Sequence, residues 1–337
     1  MIPNGPFLPA LALCALAPAI AVAQEPQERY APGGTFSVTF ENDVFGDTDR
    51  DYTNGIRFDY ITPRNDLPLA GRVLKRGLEW LPGDDAAWYM TYAIGQNIYT
   101  PTDISLRTPP AGERPYAGFL YGSVGIAADS GSTLDVLALE FGMVGPSSLA
   151  EPTQKLVHEV LGVQDPKGWN NQLDDEFAFR FVYERKYKFT GDLLIEPIGL
   201  AIDFAPHYNV SLGTVDTSAG IGGTLRLGRD LTEDYGPPRI RPAVSSPGFF
   251  REGDGFNWYL FVGAEGRVVA RNLFIEGNTW GGEKGVDPTR FVGDLQAGAA
   301  VQVDGVEVAY THVIRSPEYE GQDGLSQFGS VNVRFKF

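Results

Sequence analysis

An all-β fold, closed as a transmembrane antiparallel β-barrel of about twelve strands with one short loop helix near 151–161, is what three features of this 337-residue sequence predict. Apolar and polar residues alternate with period two in segment after segment. Many of those segments reach ten residues, above the ~5–6 usual in soluble sheets and in the ~9–11 range of membrane-spanning strands. The connections between them are unequal, some of one to three residues and others far longer, as barrels of this kind require.

The elements follow in order. Segment 35–43 sets Phe36, Val38 and Phe40 on one face and Thr35, Ser37, Thr39, Glu41 and Asp43 on the other. Strands at 52–63, 88–100, 115–128 and 132–144 come next. In 176–189, Phe177, Phe179, Phe181, Tyr183, Tyr187 and Phe189 oppose Arg180, Glu184, Lys186 and Lys188. Strands at 192–208 and 210–228 follow, and in 256–271 Trp258, Leu260, Val262, Ala264 and Val268 oppose Asn257, Glu265, Arg267 and Arg271. Segments 287–303 and 305–316 repeat the pattern, with Asp294, Gln296, Gln302, Glu307 and Thr311 on the polar side. The last strand, 325–337, places Leu325, Gly329, Val331, Val333, Phe335 and Phe337 opposite Ser326, Ser330, Asn332, Arg334 and Lys336. Short connections are expected at 129–131, 190–191 and 304, and long ones at 64–87, 101–114, 145–175, 229–255 and 272–286. Pro237-Pro238-Arg239-Ile240-Arg241-Pro242 marks 229–255 as loop.

A soluble β-sandwich also alternates. Strand length, the even count, aromatic-rich faces and the lack of a helical layer favour the barrel. A mean hydropathy of −0.15 excludes membrane helices only, because half of every barrel strand is polar.

The chain carries 43 acidic against 27 basic side chains, a net charge of −16. Phosphate-backbone binding needs a basic face, so nucleic acid is excluded as a partner. Residues 6–23 form an apolar run ending Ala21-Val22-Ala23, read as a secretory signal cleaved after Ala23. Residues 24–34 are then a lead-in and 35–337 the barrel. The only cysteine, Cys14, leaves with the signal, so a disulfide framework and a cysteine zinc site are both excluded.

Three clusters could carry chemistry. Glu151–Gly162 is the one convincing helix, with Pro152 in its first turn and Gly162 at its stop. It places Gln154 and His158 one turn apart on one face; the plainer alternative for His158 is a solvated surface position. Between Glu41 and Asn54, Asp43, Asp47, Asp49 and Asp51 join Asn42 in a set of hard oxygen donors suited to Ca²⁺, or merely to a polar turn. Gln96-Asn97-Ile98-Tyr99-Thr100-Pro101 and Glu113-Arg114-Pro115-Tyr116-Ala117-Gly118 flank Arg107. Arg107 and Arg114 suit an anionic group, or are solvated or lumen arginines. No Gly-x-Ser-x-Gly elbow is present, and Ser147-Ser148 has no acid–base partner besides His158.

In this order and spacing, Glu41-Asn42-Asp43, Asp51-Tyr52-Thr53-Asn54-Gly55, the Gln96 and Glu113 segments, Gly145-Pro146, Gln154-x-x-x-His158 and Trp169-x-x-Gln172 resemble the outer-membrane lipid A 3′-O-deacylase family. The likeness spans 35–175, and the C-terminal half agrees in strand pattern. It implies an exported outer-membrane barrel, a monomer, whose site at the outer mouth lies between the wall and a loop helix. It also implies Ca²⁺-dependent hydrolysis of the ester of the 3′ acyloxyacyl group, with lipid A or lipopolysaccharide as substrate among outer-membrane lipid. By position, His158 is the general base; Asn42, Asp43, Thr53 and Gln154 belong to the site; Asp43 contacts the metal; and Arg107 meets the phosphate or sugar. The sequence departs from the family pattern at Leu106, Gln164 and Pro166. A phospholipase using the same site, or a non-catalytic pore, are the alternative functions.

Overall fold

In the computed structural model the chain is described at residues 33–46, 51–82, 86–195, 200–229, 231, 235–236, 255–281 and 285–337. The proposed signal, the aspartates at 47 and 49, the side chain of Asp51 and the proline-rich run 237–242 lie outside the described residues.

Thirteen strand segments form one antiparallel sheet: β1 (Thr35–Asn42), β2 (Asp51–Ile61), β3 (Ala87–Thr100), β4 (Ala117–Asp129), β5 (Thr133–Val144), β6 (Glu176–Tyr187), β7 (Phe189–Ile195), β8 (Leu200–Gly213), β9 (Asp216–Gly228), β10 (Phe256–Asn272), β11 (Phe291–Val303), β12 (Val306–Arg315) and β13 (Ser326–Lys336). β1 pairs with β13, and β6 with β8, so the sheet closes. β6 and β7 are one wall strand. Lys186 faces His207 and Phe189 faces Phe204 in a single unbroken register along β8. The wall is therefore twelve strands, as the alternation predicts.

Two expected turns move. Thr190-Gly191 reads locally as a turn, yet both residues stay paired with β8, and the strand runs on to Ile195. The expected break near 209 is also absent: Asn209 is mid-strand, and the hairpin falls at Thr214-Val215. In both places the ladder of inter-strand hydrogen bonds overrides local turn chemistry. The turn at 304 forms as expected, with Asp304 and Gly305 both at positive φ, the two-residue geometry that matches strand twist.

The alternation sorts polar side chains inward. Arg57 Nη1 lies 2.9 Å from Glu140, whose other oxygen is 2.5 Å from Arg180. Arg315 and Arg267 share Asp294 at 2.8 and 3.1 Å, while Arg226 pairs Asp203 and Arg334 pairs Glu307. Buried charges persist where they are paired, and here the pairs face the lumen. Outward, Ile94, Phe181, Val262, Leu295 and Val308 are exposed. An apolar exterior around a charged interior inverts a soluble core. No described helix is long and apolar enough to cross a membrane, which says nothing against strands doing so.

The two rims differ. One carries both ends of the sheet, Thr35 and Lys336, with an aromatic belt in which Phe36 and Phe335 lie 5.3 Å apart and Tyr60 stacks on Phe337 at 6.2 Å. The other carries the described connecting residues 43–46, 101–116, 145–175, 273–281, 285–290 and 316–325. The helix expected at 151–161 is there as α2 (Ala150–Leu161), after α1 (Leu69–Leu78), which the sequence analysis treats as loop and which sits at the opposite rim.

Candidate active site

The site is built on the outside of the wall, at the loop-rich rim. Parity shows this: on β1 the inward residues are Thr35, Ser37, Thr39 and Glu41, so Asn42 shares the outward face with Phe36, Val38 and Phe40. Register carries that face across neighbouring strands, from Asn42 to Asn54 on β2 and from Asn54 to Ile98 on β3.

Asn42 ends β1. Its Oδ1 accepts a hydrogen bond from Val44 N at 2.8 Å, an Asx turn that bends the chain into the 3₁₀ turn Asp43–Gly46. Asp43, first in that turn, is buried. On β2 the register skips one residue between Tyr52 and Asn54. The extra residue, Thr53, forms a bulge, which puts consecutive side chains on one side of a strand. Thr53 Oγ1 accordingly lies 2.6 Å from Thr100 Oγ1, and Thr100 is on the same outward row as Ile98.

α2 lies over β3 and β4. Gly118 makes the approach possible: a Cβ there would be 2.1 Å from Ser148 Oγ and 2.2 Å from Ala150 Cβ. Gln96 Nε2 donates to the Ser148 carbonyl at 2.6 Å, and Ile98, Ile104, Tyr116, Ala150 and Trp169 pack beneath. Ala150, Gln154 and His158, at helical spacing, form the buried stripe, with Gln154 2% and His158 5% exposed. Leu156 and Val160 point away, at 61% and 77%.

Two hydrogen bonds fix the chemistry of that stripe. Trp169 Nε1 donates to Gln154 Oε1 at 2.8 Å, while Gln154 Nε2 is buried with no acceptor among the described residues. His158 Nδ1 is 2.6 Å from the Gln164 carbonyl. A carbonyl only accepts, so Nδ1 carries the proton and Nε2 is the basic nitrogen. The carbonyl arrives there because Gly162, at φ 67°, ends α2 in the left-handed conformation and Val163 N returns to the His158 carbonyl at 3.0 Å.

The arginines separate. Arg107 is exposed, and its carbonyl accepts from Asn171 Nδ2 at 2.6 Å, two residues from Trp169. Arg114 is fully buried on the other side of the wall, 3.6 Å from Glu318 and 4.9 Å over the Tyr99 ring, the lumen arginine among the two expectations. Ser147 Oγ donates to Asp175 and Ser148 Oγ to the Gly145 carbonyl, so both serve the turn before α2. Thr100 and the Gln164 carbonyl, beside Thr53 and His158, are not among the site residues expected from sequence. Strand parity points to the first, whereas a backbone acceptor leaves no residue-type signal.

Among the described residues no group of three or more His, Cys, Asp or Glu side chains could hold a metal ion. Among the described side chains of the patch the carboxylate is Asp43, which follows Asn42 in sequence, while Thr53 precedes the Asn54 that pairs with Asn42. These are hard donors of the kind Ca²⁺ takes, along with backbone and water oxygens.

The sequence model of the family described as Outer membrane protein LpxR matches residues 8–337. Among solved structures, LpxR from Salmonella typhimurium aligns with a TM-score of 0.73 and 20% identity, covering 90% of this chain and 100% of that chain. The β domain of the Bordetella autotransporter BrkA aligns with a TM-score of 0.43 and 11% identity, covering 91% and 100%. No curated protein sequence matches. The Salmonella structure shares the fold described above.

Proposed function

The chain belongs to the LpxR family of outer membrane proteins, and on that premise we propose that it is a Ca²⁺-dependent carboxylic ester hydrolase that removes the 3′-acyloxyacyl group of lipid A. The observation that carries this reading is the 2.6 Å contact of His158 Nδ1 with the Gln164 carbonyl, on a helix clamped against the outward face of the wall. It leaves Nε2 as the basic nitrogen, on the outward face of the wall that a membrane lipid would meet.

In the mechanism, His158 Nε2 takes a proton from water as the oxygen attacks the ester carbonyl. The same proton then passes to the departing sugar 3′-oxygen, giving the free acyloxyacyl carboxylic acid and a 3′-hydroxyl. Gln154 Nε2, with its oxygen already engaged by Trp169, donates to the attacking water or to the developing oxyanion. Asp43 would hold Ca²⁺ with oxygens from Thr53 and Asn42. A bound Ca²⁺ supplies polarisation of the carbonyl and charge stabilisation, so no serine nucleophile is needed. Arg107, exposed beside the α2 cluster, is the candidate for the lipid A phosphate. Arg114, buried 3.6 Å from Glu318, is less accessible to an anionic group than Arg107.

The test is incubation of the purified barrel with lipid A in Ca²⁺ or EDTA, read by mass spectrometry. Loss of the 3′-acyloxyacyl mass in Ca²⁺ alone supports the proposal. Unchanged lipid A together with released lysophospholipid would transfer the site to glycerophospholipid, and no product from either would refute an esterase.

A further inference from the structure

We propose that α1 is an interfacial helix that binds anionic glycerophospholipid at the rim opposite the active site. The helix, Leu-Ala-Gly-Arg-Val-Leu-Lys-Arg-Gly-Leu, lies on the outside of the wall. Gly71 rests on Met90, to whose Sδ a Cβ would come within 2.9 Å. Leu67 and Leu78 pack with Trp88, Met90, Ile126 and Ala128, the outward residues of β3 and β4. The same two strands thus carry α2 at one end and α1 at the other.

The far side of α1 is apolar and uncovered. Leu69 is 72%, Val73 60% and Trp80 77% exposed. Leu69 and Val73 are one turn apart, and Trp80 folds back onto the helix end by donating from Nε1 to the Gly77 carbonyl at 2.9 Å. The remaining side is basic: Arg72, Lys75 and Arg76, with no acid within the helix. Lys75 Nζ sits 5.8 Å over the Trp88 ring. In a chain of net charge −16, a helix of purely positive charge is a local inversion, and it complements an anionic surface.

Lipid is the occupant these features select. β3, on which α1 packs, exposes Tyr92 and Ile94 on the same outer side of the wall, so the medium that bathes the wall also reaches the stripe. Three side chains cover far less than the ~800 Å² per partner of a stable protein interface, whereas insertion into the headgroup boundary needs only an apolar face flanked by Lys and Arg. Assigning this rim to the periplasmic leaflet, the glycerophospholipid one, rests on the proposed lipid A activity. Binding of the helix to anionic lipid does not.

The test uses the full chain with Cys14→Ser, so that an introduced cysteine is the only one. A Val73→Cys variant is labelled with an environment-sensitive fluorophore and reconstituted in phosphatidylethanolamine vesicles with or without phosphatidylglycerol. Glu320→Cys, on an exposed loop of the other rim, is the water-exposed control. Val73 label should be blue-shifted, shielded from iodide and quenched by brominated acyl chains, with several-fold stronger quenching when the bromine is on phosphatidylglycerol. Adding Arg72→Glu and Arg76→Glu should reduce that preference to parity while quenching by brominated phosphatidylethanolamine persists. Iodide access equal to the Glu320 control would overturn the proposal. So would a blue shift without bromine quenching, which means a protein or a second copy covers the stripe, and so would an anionic preference indifferent to the two charge reversals.

Discussion

The indole of Trp169 donates to Gln154 Oε1 at 2.8 Å, and this one bond decides which end of the Gln154 amide is available to a reaction. With the oxygen engaged, the NH₂ group is left as a buried donor without an acceptor among the described residues, next to His158 on the same helical stripe. A buried donor of this kind is costly unless a water or substrate oxygen meets it, so the amide is held ready for one. Trp169→Phe keeps the packing against Tyr116, at 5.0 Å, and removes only the bond. The expected outcome is a fall in kcat of about tenfold, corresponding to ~1.4 kcal/mol of transition-state stabilisation, with KM nearly unchanged. A KM effect without a kcat effect would refute the orienting role.

His158 depends in the same way on a group that is not a side chain. Replacing Gly162 by Val forces a β-branched residue into a left-handed conformation at φ 67°, a cost of about 1–2 kcal/mol. The chain's return to the imidazole then loosens, and the tautomer is less firmly set. Activity should fall by about ten- to a hundredfold, while Gly162→Asn, which tolerates this conformation, recovers most of it. His158→Ala should remove the base outright, at ~10²–10⁴-fold. Residual activity equal to wild type in His158→Ala would assign the base elsewhere.

These dependences mark the limit of what residue order reveals. Alternation along Thr35–Asn42 or Ser326–Lys336 is legible because every second side chain meets a different medium. The twelve-strand wall follows from it. The run through Thr190-Gly191 is not legible, since pairing to Ile202 and Asp203 on β8 decides it. α1 escapes notice because Gly71 and Gly77 dilute a short helical signal, and Gly71 is there to meet Met90. In the site, Gln154 and His158 announce themselves by spacing. Thr53 reaches the outward face through a bulge that only the register with β3 exposes.

The metal proposal makes a separate demand on Asp43. If its carboxylate supplies the anionic ligand, Asp43→Asn should raise the Ca²⁺ concentration for half-maximal activity by roughly tenfold or more, because ligand charge count sets Ca²⁺ affinity. EDTA should abolish wild-type turnover reversibly. Titration of activity with Ca²⁺ in both proteins checks this. An unchanged midpoint in Asp43→Asn would remove Asp43 from the ligand set, whatever happens to the maximal rate.

Gly118 separates the seating of α2 from the integrity of the barrel. A Cβ at this position would fall within 2.2 Å of both Ser148 Oγ and Ala150 Cβ, closer than any contact a folded protein sustains, so Gly118→Val must lift the N-terminal end of α2 away from β4. The ladder itself need not suffer: residue 118 keeps its partner Ile98 on β3, and valine is a good strand residue. Raising the helix carries Gln154 and His158 off the wall while Asn42, Asp43 and Thr53 stay on it, and displacing a base by about 1 Å costs on the order of a hundredfold. Gly118→Val should therefore retain the heat-modifiable gel mobility of a closed barrel and lose about two orders of magnitude in kcat. Gly118→Ala combined with Ala150→Gly removes one of the two collisions, so it should recover activity above Gly118→Ala alone. Full activity in Gly118→Val would mean that α2 does not rest on this strand during turnover.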